Sequence, residues 1–142
     1  MFTGVRTQTL PDVSRWILFA EADMRAAQLL SLDSDIPGRI ACFHAQQAAE
    51  KALKALLVAN DISFRKTHDL VVLVGLLPSG PREEIDLLDT DVLQPWAVDG
   101  RYPGDLPEAS ADEAAEALAV ATAIVKIARY AVAGEDAEEI HE

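Results

Sequence analysis

The sequence predicts an all-α protein, an up-and-down helical bundle of about five helices with short connections. Three observations carry this. Apolar residues recur at helical rather than alternating spacing. Aromatic residues make up only 6% of the chain, while alanine is abundant. No two-residue hairpin signal such as Asn-Gly separates the apolar runs. A length of 142 residues, half of them apolar, suffices for one domain with a sizeable core. That domain is assigned to residues 1–134, followed by an acidic tail, EDAEEIHE, at 135–142.

The first helix is expected from about Val13 to Leu32, with Asp12 as N-cap and Trp16, Phe19, Ala20, Ala27 and Leu30 facing inward. Ile36-Pro37-Gly38 breaks the chain, and a second helix follows from about Arg39 to Val58, ending near Asn60. A short third helix starts around Thr67 or His68 and places Leu70, Leu73, Val74 and Leu77 on its inner side before Pro78-Ser-Gly-Pro81 stops it. Pro81 suits the first turn of a fourth helix, whose inner stripe is Ile85, Leu88, Val92 and Trp96, with Pro95 kinking or ending it. After the loop DGRYPGDLP, Ser110 and Glu113 form a capping box for the last helix, which carries Leu118, Val125 and Ala128 inward. Gly134 closes it and the tail frays.

Composition narrows the function. A net charge of −12 argues against tight non-specific nucleic-acid binding, because that affinity comes from basic groups displacing counterions. The charge is uneven: residues 38–68 carry five basic and two acidic side chains, whereas 105–142 carry two basic and ten acidic. Cys42 is the only cysteine, so no internal disulfide forms, and it reads as a small core hydrophobe. With three histidines the chain has no cluster at zinc-ligand spacing; neither a metal nor a cofactor is implied. The longest apolar run, VVLVGLL at 71–77, is far below the roughly 20 residues of a membrane span, and the N-terminus lacks a secretory layout. A cytoplasmic protein without a membrane partner is expected.

The stretch FHAQQAAEKALKALL at 43–57 mixes alanine and leucine with His44, Gln47, Glu50, Lys51 and Lys54. At about 100° per residue, Cys42, Ala45, Ala49, Ala52, Leu53 and Leu56 fall within an arc of roughly 100°, the expected core face. Phe43, His44, Gln47, Glu50, Lys51 and Lys54 share an opposite arc of about 120°. Two readings stay open. The arc is a solvated face with pairs such as Glu50 to Lys54 at i, i+4, or it is a working surface on which Phe43 marks a covering partner.

The tryptophan-bearing first helix, FHAQQAAEKALKALL, THDL at 67–70 and RYP at 101–103, in that order and spacing, resemble the HEPN domain family, named for nucleotide binding in higher eukaryotes and prokaryotes. The resemblance covers roughly residues 13 to 130. It implies a helical bundle, commonly a homodimer, that pairs with a minimal nucleotidyltransferase in two-component systems classed as toxin and antitoxin. It also implies binding of nucleotides, and in many members ribonuclease activity from an Arg-x(4–6)-His motif late in the bundle. Carried over by position, the recurring polar residues are His44, Glu50, Lys51, Lys54, His68, Arg101 and Tyr102.

Metal-independent RNA cleavage needs an acid and a base around the ribose 2′-hydroxyl and leaving oxygen, plus cations for the phosphorane. His44 and His68 suit the first role, Arg101 a bidentate phosphate clamp, and Lys51, Lys54 and Tyr102 further phosphate contacts. Phe43, Gln47 and Glu50 would line a protein interface. Arg39 to His44 satisfies the nuclease spacing in letters, yet five helical steps put the side chains about 140° apart, and the pair lies early rather than late in the chain. Arg101 and Tyr102 sit at the later place, with no histidine after them until His141. Three functions therefore remain open: a nucleotide- or RNA-phosphate-binding partner of a nucleotidyltransferase, a ribonuclease toxin, and a purely structural subunit. No glycine-rich phosphate loop supports ATP hydrolysis.

Overall fold

In the computed structural model, residues 2–97 and 105–133 are described, with side chains from residue 12 onward. Among the described residues, five α-helices and one 3-10 helix make up an all-α bundle: α1 (Phe2–Ser31), α2 (Gly38–Ala59), α3 (Leu70–Gly75), α4 (Pro81–Asp86), the 3-10 helix η1 (Thr90–Trp96) and α5 (Ala111–Ala133). The described residues contain no strand. None of their helices is long and apolar enough to cross a membrane.

The long helices α1, α2 and α5 form the body, and α2 is its centre. It packs against α1 on one side and α5 on another, while α3 and η1 cover a third. Its alanines explain how. Ala41, Ala45, Ala48, Ala49, Ala52 and Ala55 are at most 1% exposed, and so small a side chain lets neighbouring backbones approach closely. Leu53, Leu56 and Leu57 fill the remaining volume, each contributing about 1.5–3 kcal/mol on burial. Gly38 extends the same logic to the start of α2: a Cβ there would stand 3.2 Å from the Ala109 carbonyl oxygen, tighter than ordinary contact.

Helix ends follow local chemistry. α2 closes with the Ile62 amide donating to the Leu57 carbonyl (2.9 Å) and the Asp61 amide to the Val58 carbonyl (3.1 Å). Asp61 adopts a left-handed φ of 57° to do so, a Schellman end made without glycine. At α5 the expected capping box is present: the Ser110 amide donates to Glu113 Oε1 (2.9 Å) and the Glu113 amide to Ser110 Oγ (3.1 Å).

Four expectations need correction. α1 starts at Phe2 and runs through Pro11 and Asp12, so Asp12 lies inside the helix rather than capping it. Phe19 faces outward, 49% exposed, because Ala20, Met24 and Ala27 set the buried stripe one step away. α3 begins at Leu70 with Asp69 as its cap, whose side chain accepts from the Val71 amide; Thr67 and His68 precede it. The expected fourth helix is two elements, because Asp89 accepts from the Asp91 amide (3.2 Å) and starts a new turn as η1. η1 still buries Leu93 and Trp96, and the Trp96 indole donates to the Pro107 carbonyl (3.3 Å). Gly134 and the acidic tail lie outside the described residues.

Candidate functional site

The polar arc of α2 is not a wet face. α1 and the segment after α2 cover much of it, and it is organised around two carboxylates. Asp23 of α1 accepts from His44 Nδ1 (3.1 Å) with one oxygen and from the Lys51 ammonium with the other. Glu50 binds Lys54 Nζ at 2.9 Å and His68 Nδ1 at 3.1 and 3.2 Å. Glu50 and Lys54 are buried, at 3% and 7% exposure.

Burying a lysine requires compensation, and the surroundings supply it. Lys54 Nζ sits 5.6 Å from the centroid of the Trp16 ring and 5.8 Å from that of Phe64, so aromatic faces add cation–π attraction to the Glu50 bond. Its four-carbon stem meanwhile lies in the bundle like any apolar chain. Glu50 in turn is fully engaged: one carboxylate holds an ammonium four residues on and an imidazole eighteen residues on.

His44 and His68 share one arrangement. Each rests Nδ1 on a carboxylate, which fixes the ring's orientation and leaves Nε2 as its outward chemistry. No described residue bonds either Nε2. Both side chains are partly accessible, 30% for His44 and 38% for His68. Phe43 packs edge-on against the His44 ring, with centroids 5.2 Å apart. Gln46 donates to the His68 carbonyl (3.3 Å) and accepts from Gln47 (3.0 Å), which ties the chain around His68 to the middle of α2.

The structure thus brings His44 and Lys51 together at Asp23, and Lys54 and His68 together at Glu50. Arg101 and Tyr102 lie outside the described residues. As a phosphate contact Lys54 is enclosed, and as an interface residue Glu50 is enclosed too. Phe43 and Gln47 remain half-buried. Arg39 and His44 both lie in regular α2, and His44 is committed to Asp23 while the Arg39 Nε is buried without a hydrogen-bond partner. Asp23, Gln46 and Phe64 went unnoticed in the sequence. A signal existed for Asp23, an acid between Ala20 and Ala27 at the inward spacing of α1.

Cys42 is fully buried, and burial, with the Glu113 carboxylate adding to it, pushes its thiol up to about 11. Among the described residues, no three His, Cys, Asp or Glu side chains gather as a metal-binding group.

A family model described as the HEPN domain matches residues 13–131. The crystal structure of ST0689, an archaeal HEPN homologue, superposes with a TM-score of 0.55 at 24% identity, covering 84% of this chain and 97% of that one. Among curated proteins none matches.

Proposed function

The chain belongs to the HEPN domain family, and from that premise we propose that it is a nucleotide- or RNA-phosphate-binding partner of a minimal nucleotidyltransferase, a cytoplasmic homodimer forming half of a toxin–antitoxin-like pair. The observation that supports phosphate binding is the pair of carboxylate-backed imidazoles. Asp23 and Glu50 supply two negative charges and Lys51 and Lys54 two positive ones. The four cancel. Any net attraction for an anion then comes from His44 and His68, which as imidazolium ions donate through Nε2 while Nδ1 stays on its carboxylate.

The experiment is a thermal-shift titration with ATP, GTP and inorganic phosphate, run on the wild type and on His44→Gln/His68→Gln, beside co-purification with a co-expressed minimal nucleotidyltransferase. Stabilisation by nucleotide that is lost in the double variant supports the reading. Equal stabilisation of wild type and variant removes the histidines from the site, and failure to co-purify removes the partner.

A second reading, a metal-independent ribonuclease, is favoured by the same two histidines, since a carboxylate-held imidazole is also a general base. Growth arrest on expression that His44→Ala or His68→Ala relieves, in a folded protein, would select it.

A further inference from the structure

A groove between α1 and α5, about 310 Å³ in volume, is lined among the described residues by Arg25, Lys126 and Arg129 against one acid, Glu21. Arg129 is answered, since its guanidinium binds Glu21 at 3.0 Å. Arg25 and Lys126 are not, for no described carboxylate lies within ion-pair distance of either. The Glu21–Arg129 pair also sets the register. Gln28 and Thr122 line the same groove, so ascending α1 from residue 21 to 28 matches descending α5 from 129 to 122, and the helices run in opposite directions. Four residues up α1 from Glu21 is Arg25, and three back along α5 from Arg129 is Lys126. These steps are about 6 Å and 4.5 Å at the rise of an α-helix. The two unanswered cations therefore stand on opposite walls at nearly the same height.

Arg25 and Lys126 are both solvent-exposed, so water and salt screen their repulsion, and with Arg129 against Glu21 the described lining of the groove carries a net charge of +2. Among the described acidic residues, only Glu21 lines this groove. Beneath the cations the floor is apolar, made by Met24 and Val125, each only 5% exposed. Gln28 and Thr122 add neutral hydrogen-bonding groups at the end away from the Glu21–Arg129 pair. Charge on the walls, an apolar floor and neutral polar groups at one end fit a small molecule that carries one phosphoryl group.

We propose that the α1–α5 groove is a binding site for a small phosphomonoester, its phosphoryl group held between Arg25 and Lys126 and its organic part resting on Met24 and Val125. The site uses none of Asp23, His44, Glu50 or His68, so it stands or falls apart from the function proposed above.

The test is isothermal titration calorimetry of the full chain at physiological ionic strength, with AMP, glycerol 3-phosphate and inorganic phosphate as separate titrants. AMP is expected to bind, and Arg25→Gln/Lys126→Gln to weaken it roughly tenfold or more, the effect of losing two charge-assisted contacts. Arg25→Lys/Lys126→Arg keeps both charges and is expected to retain binding, which separates loss of the site from loss of the fold. AMP binding more tightly than glycerol 3-phosphate shows that the organic part recognised is a nucleoside; equal affinities show that the phosphoryl group dominates. A titration that survives in His44→Gln/His68→Gln and vanishes in Arg25→Gln/Lys126→Gln assigns the ligand to this groove. The reverse pattern, or no heat from any of the three titrants with the wild type, overturns the proposal.

Discussion

A lysine ammonium taken out of water costs several kcal/mol unless it is paired and bonded, and Lys54 shows how this fold meets that cost with Glu50, Trp16 and Phe64. Removing one partner of such a pair is worse than removing both. Lys54→Ala is expected to lower unfolding free energy by about 3 kcal/mol, read from urea denaturation. Lys54→Met with Glu50→Gln should cost clearly less than the sum of the two single changes; strict additivity would show that the pair is not coupled. Cys42 makes a second prediction at this scale. Its thiol in the folded chain is pushed up to about 11 from an ordinary value of 9.0, so above pH 9 the unfolded chain loses a proton that the folded one keeps. Stability should then fall as pH rises from about 9 to 11, by on the order of 2 to 3 kcal/mol in total, and Cys42→Ala should flatten that slope. At neutral pH, the native thiol should resist alkylating reagents that label the urea-unfolded chain at once.

Among the elements, α5 was the most legible because its start is written in four consecutive residues. Ser110→Ala removes an oxygen that accepts from the Glu113 amide and is expected to cost about 1 kcal/mol, visible as a lower melting temperature with an unchanged circular dichroism spectrum. The core face of α2 was legible for a similar reason, since period and composition agree along Cys42, Ala45, Ala49, Leu53 and Leu56. Its polar arc stayed open between two readings because helical periodicity separates faces without saying what covers them. The covering residues are distant in sequence: Asp23 lies 21 and 28 residues before His44 and Lys51, and His68 lies 18 after Glu50. The break between α4 and η1 was hidden for the opposite reason. It depends on one short side-chain bond at Asp89, which the apolar spacing of Ile85, Leu88 and Val92 runs straight across.

For the whole molecule, a charge of −12 on 142 residues means that the folded state repels itself. Raising salt from low to physiological strength should therefore stabilise the protein, by on the order of 1 kcal/mol or about 3 °C, as followed by calorimetry. A fall in melting temperature would mean that the specific pairs at Asp23 and Glu50 outweigh the general repulsion. The charge map also shows what sequence alone concealed about charge pairing. The basic zone at 38–68 holds Lys51 and Lys54, yet Lys51 is paired with Asp23 and Lys54 is buried against Glu50. The stretch at 105–142 is acidic as a whole, although its two basic residues, Lys126 and Arg129, both line the α1–α5 groove. The enclosure of α2 has a consequence for motion. Amide hydrogens in its middle should exchange with solvent only when the whole bundle opens, while the short helices from 67 to 97, each of one or two turns although they bury Leu70, Leu73, Ile85 and Leu93, should exchange sooner. His68 lies in the segment before α3 and Glu50 in the middle of α2. Their contact therefore ties a slow-exchanging helix to a segment expected to exchange faster, and Glu50 keeps its bond to Lys54 on the slow side.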